Sequence, residues 1–275
     1  MSYYTIAGLQ KEPFSTSPDP EFFYNSSEHE SALIRLMIEI RLRRGLSLIL
    51  GDVGTGKTTL SRRLVQMFHQ RQDIIFHIIM DPAYSTSELF LESLVRAMGI
   101  KTSDKKTSIV DYQEAIKNYL FKMGVEERKT IVLMVDEAQK LNKESLEILR
   151  VLLNYETNEY KLLQLVLFGQ MELLPVLKGM PNLMDRVSLK YVLNPLDEKQ
   201  TKEMILFRLK KAGYVSPLPL FTDEAINEIY EFSGGYPRKI TMLCHQALKE
   251  LIIEKKTQVD RIIAAGLIKK ERQWI

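Results

Sequence analysis

Gly51-Asp52-Val53-Gly54-Thr55-Gly56-Lys57-Thr58 is the stretch whose residue types and spacing point most directly to chemistry. Glycines at its first, fourth and sixth positions let the backbone turn tightly enough for successive N–H groups to face one object. Lys57 and Thr58 then stand where the pattern Leu60, Leu64, Phe68 opens a helix, with Thr59 in the same first turn. The object such a loop fits is phosphate, held by backbone amides and the positive end of a helix. Lys57 supplies a mobile charge for the β- and γ-phosphates, and Thr58 an oxygen for Mg²⁺. The apolar run Leu46 to Leu50 before the loop and the amphipathic pattern after it are the context this spacing requires.

A phosphate loop of this kind needs a carboxylate at the end of a neighbouring strand. Ile131 to Val135 is five apolar residues long and leads straight into Asp136-Glu137. Adjacent acids by themselves belong more often to a solvated face. A buried strand ending in them, downstream of a phosphate loop, reverses that reading. Asp136 would reach Mg²⁺ through water and Glu137 would polarise the attacking water. The implied chemistry is attack of water on the outer phosphate of a bound nucleoside triphosphate.

These residues need a scaffold, and the chain alternates short apolar runs with amphipathic stretches. Strands are predicted at 46–50, 74–80, 131–135, 163–168 and 187–193. Helices are predicted after Lys57 and over 87–98, 109–123 and 145–155. Near-continuous apolar strands separated by helices indicate an α/β fold: a five-stranded parallel sheet covered on both faces. Beyond Pro195 the strand signal stops, and helices follow at 198–211, 222–232 and 239–254, with a shorter one near the end. The expected organisation is an N-terminal segment over 1–44, an α/β P-loop domain over 45–194 and a small α-helical lid domain over 195–275. Within 1–44, Ser27 and Glu30 read as a capping box that opens a helix beside the nucleotide site. The aromatics before it (Phe14, Phe22, Phe23, Tyr24) must lie on something.

Composition excludes several classes. With 45% hydrophobic and 27% charged residues in 275, the chain is globular and long enough to bury a core unaided. Its one cysteine, Cys244, excludes an internal disulfide framework and a Cys-based zinc site. It has no run of 18 apolar residues and no basic-then-apolar leader pattern at its N-terminus. A net charge of +3 is well short of the basic footprint expected for nucleic acid. The expected location is cytoplasmic, or peripheral at the inner membrane through a partner.

The phosphate loop, the strand ending in Asp-Glu and the helical region after the sheet resemble the AAA+ ATPases, for which that chemistry means ATP to ADP and phosphate. Further blocks are similar to the ExeA/GspA-type secretion ATPases. They are Gly8-Leu9 through Pro13-Phe14, Pro18-Asp19-Pro20, Glu28-His29, Asp136-Glu137-Ala138-Gln139, Phe168-Gly169-Gln170 and Gly234-Gly235-Tyr236-Pro237-Arg238. The resemblance implies three more site residues. Gln170 stands where a polar residue helps place the water and reads the γ-phosphate. Arg238 stands where the helical domain brings a cation onto the nucleotide. Arg186 stands where an arginine reaches into a neighbouring subunit's site. It also implies a homo-oligomer, a ring of six subunits, acting on protein components of a secretion, pilus or exopolysaccharide machine. More distant similarity to TnsC-like transposition ATPases keeps a DNA-bound regulator as the alternative. A metabolic P-loop kinase would need an acceptor pocket and no helical domain. ExeA/GspA-type proteins commonly continue into a membrane helix and a periplasmic domain, so the expectation is a shorter cytoplasmic member or a portion of a longer protein.

Other residues read plainly. His69 and His77 lack partners at metal spacing, and Cys244 reads as core. Arg35, Arg41, Arg43 and Arg44 form a basic ridge that reads as a solvated helix face before it reads as a contact for phosphates or a neighbouring subunit. Phe23 or Tyr24 is expected near the adenine or in the core.

Overall fold

The computed structural model describes residues 3–15, 17, 19–101 and 108–273. Pro18 of the N-terminal block and Trp274, read as a terminal side chain that docks or frays, lie outside the described residues. The first elements are α1 (Tyr3–Ile6), α2 (Ser27–Arg41), β1 (Leu46–Leu50), α3 (Lys57–Phe68), β2 (Ile74–Ile79), α4 (Ser87–Ala97), α5 (Ile109–Phe121) and β3 (Thr130–Val135). After them come α6 (Lys143–Leu152), β4 (Leu163–Gly169), α7 (Leu173–Lys178), α8 (Pro181–Met184) and β5 (Val187–Val192). The remainder is helical: α9 (Glu198–Lys211), α10 (Asp223–Ser233), α11 (Pro237–Ile253) and α12 (Arg261–Glu271).

The five strands are parallel, in the order β2-β3-β4-β1-β5. Side chains alternate across a strand. Leu46, Leu48 and Leu50, Ile131, Leu133 and Val135, and Leu163, Leu165 and Leu167 all enter one core with residues of α4, α5 and α6. The intervening Ser47, Ile49, Val132, Met134, Val166 and Phe168 are buried as well. Burial on both faces is why these strands read as unbroken apolar runs. Buried Gln164 is satisfied inside the sheet: it accepts from Gly45 N–H and donates to Lys161 C=O, each at 2.8 Å. On edge strand β5 the register slips between Leu46 and Ser47, and Ser188 Oγ donates to Leu46 C=O at 3.0 Å.

The chain divides into two compact units. One, residues 29–53 and 60–193, contains the sheet. The other joins residues 1–28 and 54–59 to the helical region from 194 onward. The expected 1–44 segment is thus divided between them. Its aromatic part supplies Leu9, Phe14 and Phe22 to the helical unit's core, where Phe14 meets Phe221 edge-on at 5.8 Å. Helix α2 begins at Ser27, so Ser27 is not its cap and Ser26 is the residue that precedes it. Ser27 Oγ instead accepts from Gln200 Nε2 at 3.1 Å.

Gly235 closes the turn between α10 and α11. Its carbonyl accepts from Leu196 N–H at 2.9 Å, its φ is +76°, and a Cβ there would stand 1.8 Å from Leu196 O. No rotamer change relieves a clash with main chain. Gly235→Ala is therefore expected to cost about 3 kcal/mol or more, read as a lowered urea midpoint. A loss under about 0.5 kcal/mol would mean that the turn gives way freely.

Candidate functional site

In the parallel sheet β4 lies between β3 and β1, so the C-terminal ends of three adjacent strands deliver residues to one edge. β1 runs into Gly51, β3 into Asp136-Glu137, and β4 into Gln170. Register holds them level, with Leu50 opposite Gly169 and Val135 opposite Leu167. A crevice outside the carboxyl ends of parallel strands is where such sheets take their ligands.

Four hydrogen bonds connect this edge. Gly51 N–H donates to Gly169 C=O at 3.2 Å. Gln170 N–H donates to Gln139 Oε1 at 3.0 Å, and Gln139 Nε2 donates to Glu137 Oε2 at 2.6 Å. Glu137 N–H donates to Asp136 Oδ1 at 2.9 Å. Asp136 is buried, and Glu137 adopts a left-handed backbone conformation, φ 52° and ψ 37°. That conformation costs an L residue about 1–2 kcal/mol. Sequence reading assigned Gln139 no role, and its bond to β4 spans 31 residues, which no local pattern announces.

In the helical unit, Gly54 and Gly56 have φ values of +87° and +99°. Arg238 N–H donates to Gly54 C=O at 3.2 Å, so Arg238 and the loop are brought together. A Cβ on Gly54 would lie 3.1 Å from Arg238 Cβ, and the φ of +87° disfavours any side chain there. Thr55 and Lys57 are buried, and Lys57 is the first residue of α3. A cation held at the positive end of a helix dipole favours a bound anion, as a phosphate site requires. Asp52 and Val53 are exposed, and Thr58 and Thr59 are half-buried.

Arg186 is not brought to this edge. It precedes β5, whose first residue pairs with Leu46 at the start of β1. Five residues of strand, about 16 Å, separate that level from Gly51. Arg186 is half-buried, and among the described residues no carboxylate lies within ion-pair distance, so a bridge to Asp185 is not formed.

Of the basic ridge, Arg35, Arg41 and Arg44 are exposed, as the solvated-face reading expects, whereas Arg43 is half-buried. Arg43 donates to Thr130 Oγ1 and Arg128 C=O, with its guanidinium 4.3 Å from the Tyr160 ring centre. His77 is a packing residue: its ring nitrogens bond Ala97 C=O and Tyr119 OH, and burial lowers its pKa. Tyr24 donates to Glu203 and lies against Phe207, so it packs on α9. Cys244 is fully buried, as its core reading expects, and burial pushes its thiol pKa up.

Residues 40–177, half of the chain, match the family described as AAA domain. The chain belongs to the AAA domain family, a family of ATPases. General secretion pathway protein A of Aeromonas hydrophila is 37% identical over 248 residues. That match covers 90% of this AAA domain chain but only 44% of the relative's length. Among solved structures, Cdc6p from Pyrobaculum aerophilum superposes with a TM-score of 0.69 at 20% identity, covering 90% of this chain and 67% of that one. The Aeropyrum pernix ORC1 protein, solved in complex with DNA, has a TM-score of 0.68 at 16% identity, covering 95% and 69%. At these identities the likeness is one of fold. Among the described residues of the AAA domain chain, no helix is long and apolar enough to cross a membrane.

Proposed function

We propose that this AAA domain hydrolyses ATP with Mg²⁺ as one subunit of a homo-oligomer, and that the work is spent on a protein machine of the secretion class. The observation that carries the reading is the convergence of the β1, β3 and β4 ends, which puts Gly51, Asp136-Glu137 and Gln170 on one edge. The secretion assignment draws on the 37% identity to general secretion pathway protein A, and the oligomer on the position of Arg186.

Each residue has a task that its chemistry suits. The amides of the loop from Gly51 to Thr59 hold phosphate oxygens, and Lys57 adds a point charge. Thr58 and Asp136 would hold the metal, one hydroxyl and one carboxylate being the small protein share that Mg²⁺ takes beside water and phosphate. Bound there, Mg²⁺ neutralises phosphate charge. Glu137 accepts a hydrogen bond from the attacking water and takes its proton, and the Gln170 amide can donate to phosphate or accept from water. Arg238 adds charge from the helical side. The location consistent with this reading is the cytoplasm, at the inner membrane where a partner provides the attachment.

Phosphate release measured with Mg²⁺, after chelation, and with duplex DNA tests the reading. Turnover is expected to vanish on chelation and to be indifferent to DNA. DNA binding that weakens steeply between about 50 and 200 mM salt would instead favour the DNA-bound regulator.

A further inference from the structure

We propose that Gln139 is the positioning residue for hydrolysis, clamping the Glu137 carboxylate to the end of β4. The inference rests on the reading of Glu137 as the group that acts on water. Glu137 begins from an awkward backbone, left-handed at φ 52°, on the short turn that follows β3. A carboxylate on a three-bond side chain sweeps a wide arc unless something holds it. Among the described residues, the side chain that donates to it is Gln139, at 2.6 Å.

Gln139 is itself held. Its Oε1 accepts the Gln170 main-chain N–H at 3.0 Å. The two bonds fix the amide's orientation, since swapping O and N would set acceptor against acceptor and donor against donor. The amide thus has one orientation and ties Glu137 to the residue that follows β4. Gly169 passes close beside the amide: a Cβ there would be in ordinary contact with Gln139 Oε1 at 3.6 Å, its one tight approach being to Leu173 Cδ2 at 2.9 Å. Gln170 would sense the γ-phosphate with its side chain while its main chain holds the clamp. A shift of Gln170 on binding is therefore passed to the carboxylate through one amide.

Two variants break the clamp in different ways. Gln139→Met keeps length and bulk but makes neither bond, whereas Gln139→Glu keeps the acceptor for Gln170 N–H and sets a carboxylate against Glu137. Both are expected to bind ATP within about two-fold of the parent by calorimetry, and to lose roughly ten- to a hundred-fold in kcat, the scale of a misplaced reacting group. In a Glu137→Gln background, adding Gln139→Met should lower turnover no further, because the two residues act as one unit. A kcat within two-fold of the parent for Gln139→Met overturns the proposal, and so does a parallel loss of ATP affinity or a full additive loss in the double variant. Normal turnover of Glu137→Gln alone is a different failure: it removes Glu137 from the chemistry and leaves nothing to position.

Discussion

Arg186→Ala is expected to bind ATP as the parent does and to hydrolyse it on the order of 10³-fold more slowly. Negative charge spreads over the phosphoryl oxygens as the bond to the leaving group lengthens, and a guanidinium fork meets that charge with fixed geometry. Arg186 cannot supply it to its own loop, because it stands at the opposite end of β5 with about 16 Å of strand between. The nucleotide it reaches would belong to a second copy of the chain. Mixing Arg186→Ala with Glu137→Gln should restore part of the activity, since some interfaces then pair an intact site with an intact arginine. Specific activity of the parent should rise with protein concentration until the oligomer saturates. A rate independent of concentration, with no recovery on mixing, would make Arg186 a residue of the β5 start alone.

The second large effect is a contrast within one site. Lys57→Ala should lose ATP affinity, while Glu137→Gln keeps it and loses about 10²- to 10⁴-fold in kcat. In the proposed role Lys57 would meet phosphate already in the ground state, so removing it should weaken binding. In the proposed role Glu137 would act on the water, so its amide should leave binding alone and slow the chemical step. Calorimetry for affinity and phosphate release for turnover separate the two. Unchanged ATP affinity in Lys57→Ala would remove the phosphate role from the loop, and near-normal turnover in Glu137→Gln would place the base elsewhere.

Strands that are buried on both faces leave a plain trace in sequence. β1 lies at the predicted 46–50, and β2 at Ile74–Ile79 stops one residue short of its predicted end. The positions of Asp136 and Gln170 were legible for the same reason, each being the polar residue that stands just past such a run. What could not be read was whatever depends on a distant partner. Phe14 and Phe22 announced that they needed cover, but not that the helical unit gives it. Gln139 looks like any polar residue after a strand until β4 arrives beside it. α7 and α8 are too short to show a period. Arg43 sat in a run of arginines that reads as solvated, and only Thr130 and Tyr160 reveal it as a lock between distant segments.

The tie between the loop and the start of α11 has a bearing on how this chain can change over generations. It runs from Arg238 main-chain N–H to Gly54 C=O, and every residue except proline brings that donor. The joint is inherited with the backbone, while the guanidinium is a removable attachment. A lineage can exchange residue 238 for glutamine or lysine, and so change what the side chain offers to the loop's surroundings, without unfastening the helix from the loop. Gly54 has no such freedom, since its φ of +87° strains any side chain and a Cβ there meets Arg238 Cβ at 3.1 Å. Variation is thus open at one end of the joint and closed at the other.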